Sequence, residues 1–177
     1  MPIFARFKHC IMRRAITSFV ILLACALMAG CTNTPKTNTE KIDLLKQQVV
    51  NDAATLQDLE NKDFATLQKD FIHCDSMLQY LPQEEVEAQF EHLNLTQAYL
   101  AQFSEVKPVM ERKMNYVVEQ LDHLKADAES HYLSDSLVNV YLETETRVAD
   151  TLHAQVEYFQ ERFASCQKAL NQMKKSK

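Results

Sequence analysis

The sequence predicts an all-α protein, an elongated up-down-up three-helix bundle with a coiled-coil-like core. Three observations carry that expectation. The 177 residues contain a single glycine, Gly30. After it, apolar residues recur in alternating steps of three and four over three long stretches, the spacing of a helical seam. Only Pro82 and the polar run Ser130-His131-Tyr132-Leu133-Ser134-Asp135-Ser136 divide those stretches well. Tight hairpins lean on glycine, as do phosphate-cradling loops, dinucleotide turns and nucleophile elbows. A chain without glycine after residue 30 excludes those sites in their usual form and makes a sheet-based fold improbable.

Thr37-Asn38-Thr39-Glu40 has the spacing of a capping box and opens the first helix. Its stripe runs Ile42, Leu45, Val49, Ala53, Leu56, then Phe64, Leu67, Phe71, Cys74, Leu78 and Leu81, and Pro82 ends it. Gln83-Glu84-Glu85 supplies the acids suited to a new N-terminus. The second stripe is Val86, Phe90, Leu93, Gln97, Leu100, Phe103, Val106, Met110, Met114, Val117, Leu121, Leu124 and Ala128. Pro108 lies inside it, where proline kinks or breaks a helix. The stripe continues across Pro108, which predicts one kinked helix; a break there would give the alternative, a four-helix bundle. Ser134 caps the last helix, whose stripe is Leu137, Tyr141, Thr144, Val148, Leu152, Val156, Phe159, Phe163, Cys166, Leu170 and Met173. Lys174, Lys175 and Lys177 suit its C-terminus. The bundle is placed at 40–174, with 175–177 a basic tail.

The N-terminus has a different character. Arg13 and Arg14 precede an apolar run from Ala15 to Met28, then the small residues Ala29 and Gly30, then Cys31. A positive start, an apolar core too short to span a bilayer and small residues before a cut form a secretory signal. Residues 1–30 are that signal, and Met12 is an alternative true start. Met28-Ala29-Gly30-Cys31 resembles the lipobox of bacterial lipoprotein precursors, with methionine in place of the usual leucine. The resemblance covers residues 12–32. It implies a diacylglycerol thioether on Cys31, an N-terminus at that cysteine, and a permanent membrane tether, since two or more acyl chains anchor stably. Thr32, in place of a retention aspartate, implies the outer membrane, with the domain facing the periplasm. The polar linker 31–39 reaches no more than about 30 Å.

Removal of 1–30 takes away Arg6, Lys8, Arg13 and Arg14 and no acid, which leaves 15 basic against 24 acidic residues, a net charge of −9. Such a chain repels phosphates, so no nucleic-acid partner is expected.

Several residue pairs invite a chemical reading. Asp70-x-x-His73 and Asp150-x-x-His153 have metal-ligand spacing on a helix face. The two histidines fall about 20 Å apart along a parallel bundle, so neither a metal nor another cofactor is expected. Glu119 with His123 and Asp127 with His131 are acid–imidazole pairs at i,i+4, which support an exposed helix without further chemistry. His73 and Cys74 are adjacent and point about 100° apart, unsuited to nucleophile and base. Asp75-Ser76-Met77, Asp135-Ser136-Leu137 and Asp150-Thr151-Leu152 resemble a bacterial O-glycosylation site. Lys177 resembles the terminal lysine through which a small helical lipoprotein is linked to peptidoglycan, although Met-Lys-Lys-Ser-Lys is not that protein's ending. Cys74 and Cys166 lie at matching heights, roughly 49 Å along parallel first and last helices, and both face the core. An exported domain permits the disulfide between them that this placement predicts.

The function this predicts is a lipid-anchored, non-enzymatic interaction or spacer module of the cell envelope. Its partner would be an envelope protein, the cell wall or a second copy. The alternative is a small apolar-ligand or lipid-binding lipoprotein, with Phe64, Phe71, Phe90, Phe103, Phe159 and Phe163 around a cavity in the bundle core.

Overall fold

The computed structural model describes residues 37–175. The signal segment, Cys31, most of the linker and Lys177 lie outside the described residues. Apart from short turns at 79–82 and 130–134, those described are helical, with no strand among them: α1 at Asn38–Asp58, a π-helical segment at Leu59–Phe64, α2 at Ala65–Leu78, α3 at Gln83–Glu129 and α4 at Asp135–Lys175. The π segment joins α1 directly to α2, so three long rods result. Asn38 near the start of α1 meets Asp135 at the start of α4, while Lys125 near the end of α3 bonds Asp43. The order is therefore up-down-up.

Local signals set the ends. The Thr37 hydroxyl accepts from the Glu40 amide at 3.2 Å, and the Thr37 amide donates to the Glu40 carboxylate at 2.9 Å, a complete capping box. Pro82 is the N-cap of α3, and Ser134 Oγ accepts from the Leu137 amide at 3.4 Å. α3 ends with His131 at φ 55° and amide bonds from His131 to Ala128 O and from Tyr132 to Asp127 O. That pair of bonds is a Schellman motif, with histidine in the left-handed place glycine usually takes.

α3 is a single bent helix that carries Pro108 in its interior, which removes the four-helix alternative. Pro108 has no N–H for the Ser104 carbonyl, and the buried side chains of Phe103, Lys107 and Met110 pack on either side of it. The first rod was expected as one regular α-helix; the π segment is the correction. From Ile42 to Leu59 the buried positions follow a heptad, and from Phe64 to Leu78 they follow another displaced by one residue. A π-turn absorbs one extra residue without turning the rest of the helix away from the core.

Two stripes also need correction. In the first half of α4 the buried line is Val138, Leu142 and Ala149, not Leu137, Tyr141, Thr144 and Val148, which are exposed. The observed line keeps the four-three alternation all the way from Val138 to Met173, with Glu145 at one of its positions. In α3, Phe90 and Gln97 are exposed, while Thr96 and Tyr99 enter the core. The core residues run from Ile42 to Met173, and the described residues 37–175 form one compact unit.

Candidate functional site

A groove of about 510 Å³ lies between the first half of α3 and the last half of α4, from His92 to Gln102 and from Tyr158 to Gln172. Its floor is built where α3 places Thr96 and Tyr99 in the core. Thr96 is small, fully buried, and donates its hydroxyl to His92 O at 2.8 Å, so no polar atom is stranded. Tyr99 donates to Phe159 O at 3.3 Å, and burial pushes its phenol well above the usual range. Burial likewise pushes up the Cys166 thiol, with a hydrogen bond to Thr96 pulling partly the other way. Such a thiol is a poor nucleophile. Small side chains at Ala98, Ser165 and Ala169 keep the groove open.

Above the floor the groove is basic. His92, Arg162 and Lys168 line it, with no carboxylate among the lining residues. The Arg162 guanidinium stands 5.4 Å from the Tyr158 ring centroid, within cation–π range.

The phenylalanines do not enclose a core cavity. Phe64 stacks on Phe103 at 5.2 Å, and Phe103 meets Phe159 edge-on at 5.3 Å. Phe163 is buried, Phe71 half-buried and Phe90 exposed, and none of the six lines the groove. Packing among rings fills the space a ligand would need.

Beside this aromatic cluster the two helical irregularities meet. Lys107, immediately before Pro108, bonds Glu60 of the π segment at 2.8 Å and Glu111 at 2.6 Å. Burial alone would depress the Lys107 pKa; its hydrogen bonds to Glu111 and Glu60 outweigh that and raise it. The hydrogen bond to Lys107 in turn holds Glu60 below its ordinary value. No sequence signal marked Lys107 as a core residue.

The Asp-x-x-His pairs separate. Asp70 pairs with Lys174, and His73 is exposed. His153 pairs instead with buried Asp52, 2.8 Å away on α1. Cys74, next to His73, meets α4 at Leu170, seventeen residues beyond His153 and roughly 25 Å along the axis. Among the described residues no group of three or more His, Cys, Asp or Glu could hold a metal ion. His123 and Asp127 line a shallower pocket of about 240 Å³ with Tyr141 and Glu145, whereas Glu119 and His131 lie outside it on the exposed surface. Ser76, Ser136 and Thr151 are all exposed. Cys74 and Cys166 are buried free thiols, so the expected bond is not formed in this structure.

No protein-family model, curated protein or solved structure matches the chain. Among the described residues, no helix is long and apolar enough to cross a membrane.

Proposed function

We propose that this protein is a lipid-anchored, non-enzymatic helical interaction or spacer module of the bacterial cell envelope, held in the outer membrane through Cys31. The observation that supports it best is the trio of matched rods. α3 and α4 have 47 and 41 residues, and α1, the π segment and α2 together span 38–78. Each covers roughly 60–70 Å at 1.5 Å per residue. A core filled with apolar side chains along that length suits reach and surface presentation better than enclosure of a reacting group. Leu137, Val140, Tyr141 and Val148 stand exposed on α4, and Tyr116 on α3, apolar side chains open to a protein partner. The anchor itself rests on the lipobox resemblance.

Labelled fatty acid fed to cells should enter the wild-type chain and not Cys31→Ala. Incorporation into both would overturn the anchor. A photo-crosslinker at Tyr141 should capture an envelope protein, cell-wall material or a second copy in whole cells; no capture there or at Tyr116 would remove the interaction role.

A further inference from the structure

We propose that the groove between α3 and α4 binds a single-chain amphiphilic anion, its acidic head held by Arg162 and Lys168 and its apolar body lying over Leu95, Ala98 and Ala169. Three independent features converge there. The first is concavity: about 510 Å³ falls within the range of small-molecule sites, roughly 300–1,000 Å³.

The second is charge. The chain carries 24 acidic residues against 19 lysines and arginines, yet no acid lines this groove. Lys46, Lys107, Lys125 and Lys174 each bond a carboxylate. Arg162 and Lys168 bond none among the described residues. Arg162 is nevertheless held, by the face of Tyr158, in a position where its planar fork can meet a carboxylate or phosphate head with two hydrogen bonds.

The third is apolar surface beside the cations. Leu95 is 50% exposed and Tyr158 39% exposed, and Ala98 and Ala169 complete the walls. A bare anion would leave this surface wet, and a neutral hydrocarbon would leave the cations unmatched. An anionic head on an apolar chain satisfies both. A long polyanion would run beyond Arg162 and Lys168 along a chain of net negative charge and be repelled. The site does not depend on the lipid anchor and stands or falls separately from it.

The test uses the 37–177 unit, which carries the whole core, with decanoate as probe and 1-decanol and inorganic phosphate as comparators. Tyrosine fluorescence reads binding, since Tyr99 and Tyr158 line the groove and the chain has no tryptophan. Decanoate should bind saturably, and more tightly than either comparator. Arg162→Gln combined with Lys168→Gln should weaken it by about tenfold or more, as loss of close charge pairs does. Ala98→Trp, which fills the groove, should abolish it, with helicity checked by circular dichroism. Non-saturable binding, unchanged affinity in the charge-neutral variant, or 1-decanol or phosphate matching decanoate would each overturn the proposal. The wild-type comparison decides even if a variant fails to fold.

Discussion

His153 Nδ1 on α4 lies 2.8 Å from Asp52 Oδ1 on α1, across a position where the heptad calls for an apolar side chain. Asp52 is only 7% exposed, and its other oxygen, Oδ2, has no hydrogen-bond partner. The hydrogen bond to Asp52 is the main reason the His153 pKa is raised above its ordinary value. A raised folded pKa means stability is fully present below the unfolded value and is lost as pH rises through the folded one. Melting temperature should therefore fall as pH climbs from about 6 toward 8, and His153→Gln should flatten that slope. An NMR titration should show the His153 pKa returning toward normal in Asp52→Asn; an unchanged value would remove the pair as the cause.

The π segment predicts an unusual tolerance to deletion. Removal of exposed Asn61 takes out the one extra residue and leaves α1 and α2 on one continuous heptad. Thermal melts should change by about 1 kcal/mol or less, the scale of an ordinary surface change. The same deletion at exposed Gln160, in regular α4, turns everything beyond it by about 100° and should abolish cooperative melting. Equal damage at both sites would contradict the skip-residue account.

His131 offers a gain. Its left-handed φ of 55° costs an ordinary residue more than glycine. His131→Gly should stabilise the protein by about 1 kcal/mol, measured as a rise in the urea midpoint with unchanged slope.

Glu145 occupies a heptad position of α4, and burial raises its pKa. Glu145→Leu should stabilise the fold at neutral pH by about 1 kcal/mol, less than a fully buried leucine would. Because the wild-type carboxyl favours its neutral form, this gain should shrink as pH falls through the Glu145 pKa. A pH-independent difference would place the side chain in water.

The thiols should resist modification. Cys74 Sγ turns to Leu170 O, four residues past Cys166 and about 6 Å along α4. A disulfide needs Cβ atoms about 3.5–4.5 Å apart. Both cysteines should alkylate only after denaturation, and without reductant. An intact mass lighter by two hydrogen atoms in the unreduced sample would instead establish the Cys74–Cys166 bond.

Much of the molecule was legible in the chain because its signals are local. The Thr37–Glu40 box, the Ser134 cap, the break at Pro82 and the absence of glycine after residue 30 each act within a few residues, so the helical class and most helix ends could be read directly, while three helices or four turned on Pro108. Even the π segment left a trace, the eight-residue step from Leu56 to Phe64 where a heptad takes seven. The phase of α4 was harder. Lines starting at Leu137 and Val138 are neighbours on one helix, and the second contains Glu145, so hydropathy alone favoured the wrong one. The partners of charged groups were hidden altogether. Nothing in the order of residues says that His153 finds Asp52 rather than Asp150, or that Lys107 bridges to Glu60, because those pairs join segments 101 and 47 positions apart. The sequence by itself determined that the described chain is all helical, with turns at Pro82 and at 130–134; that Pro108 bends one long helix and does not divide it was decided by the tertiary structure. Packing decided which faces meet, which carboxylates are buried, and where α3 and α4 leave a basic groove, because each depends on the rotation of one whole helix against another.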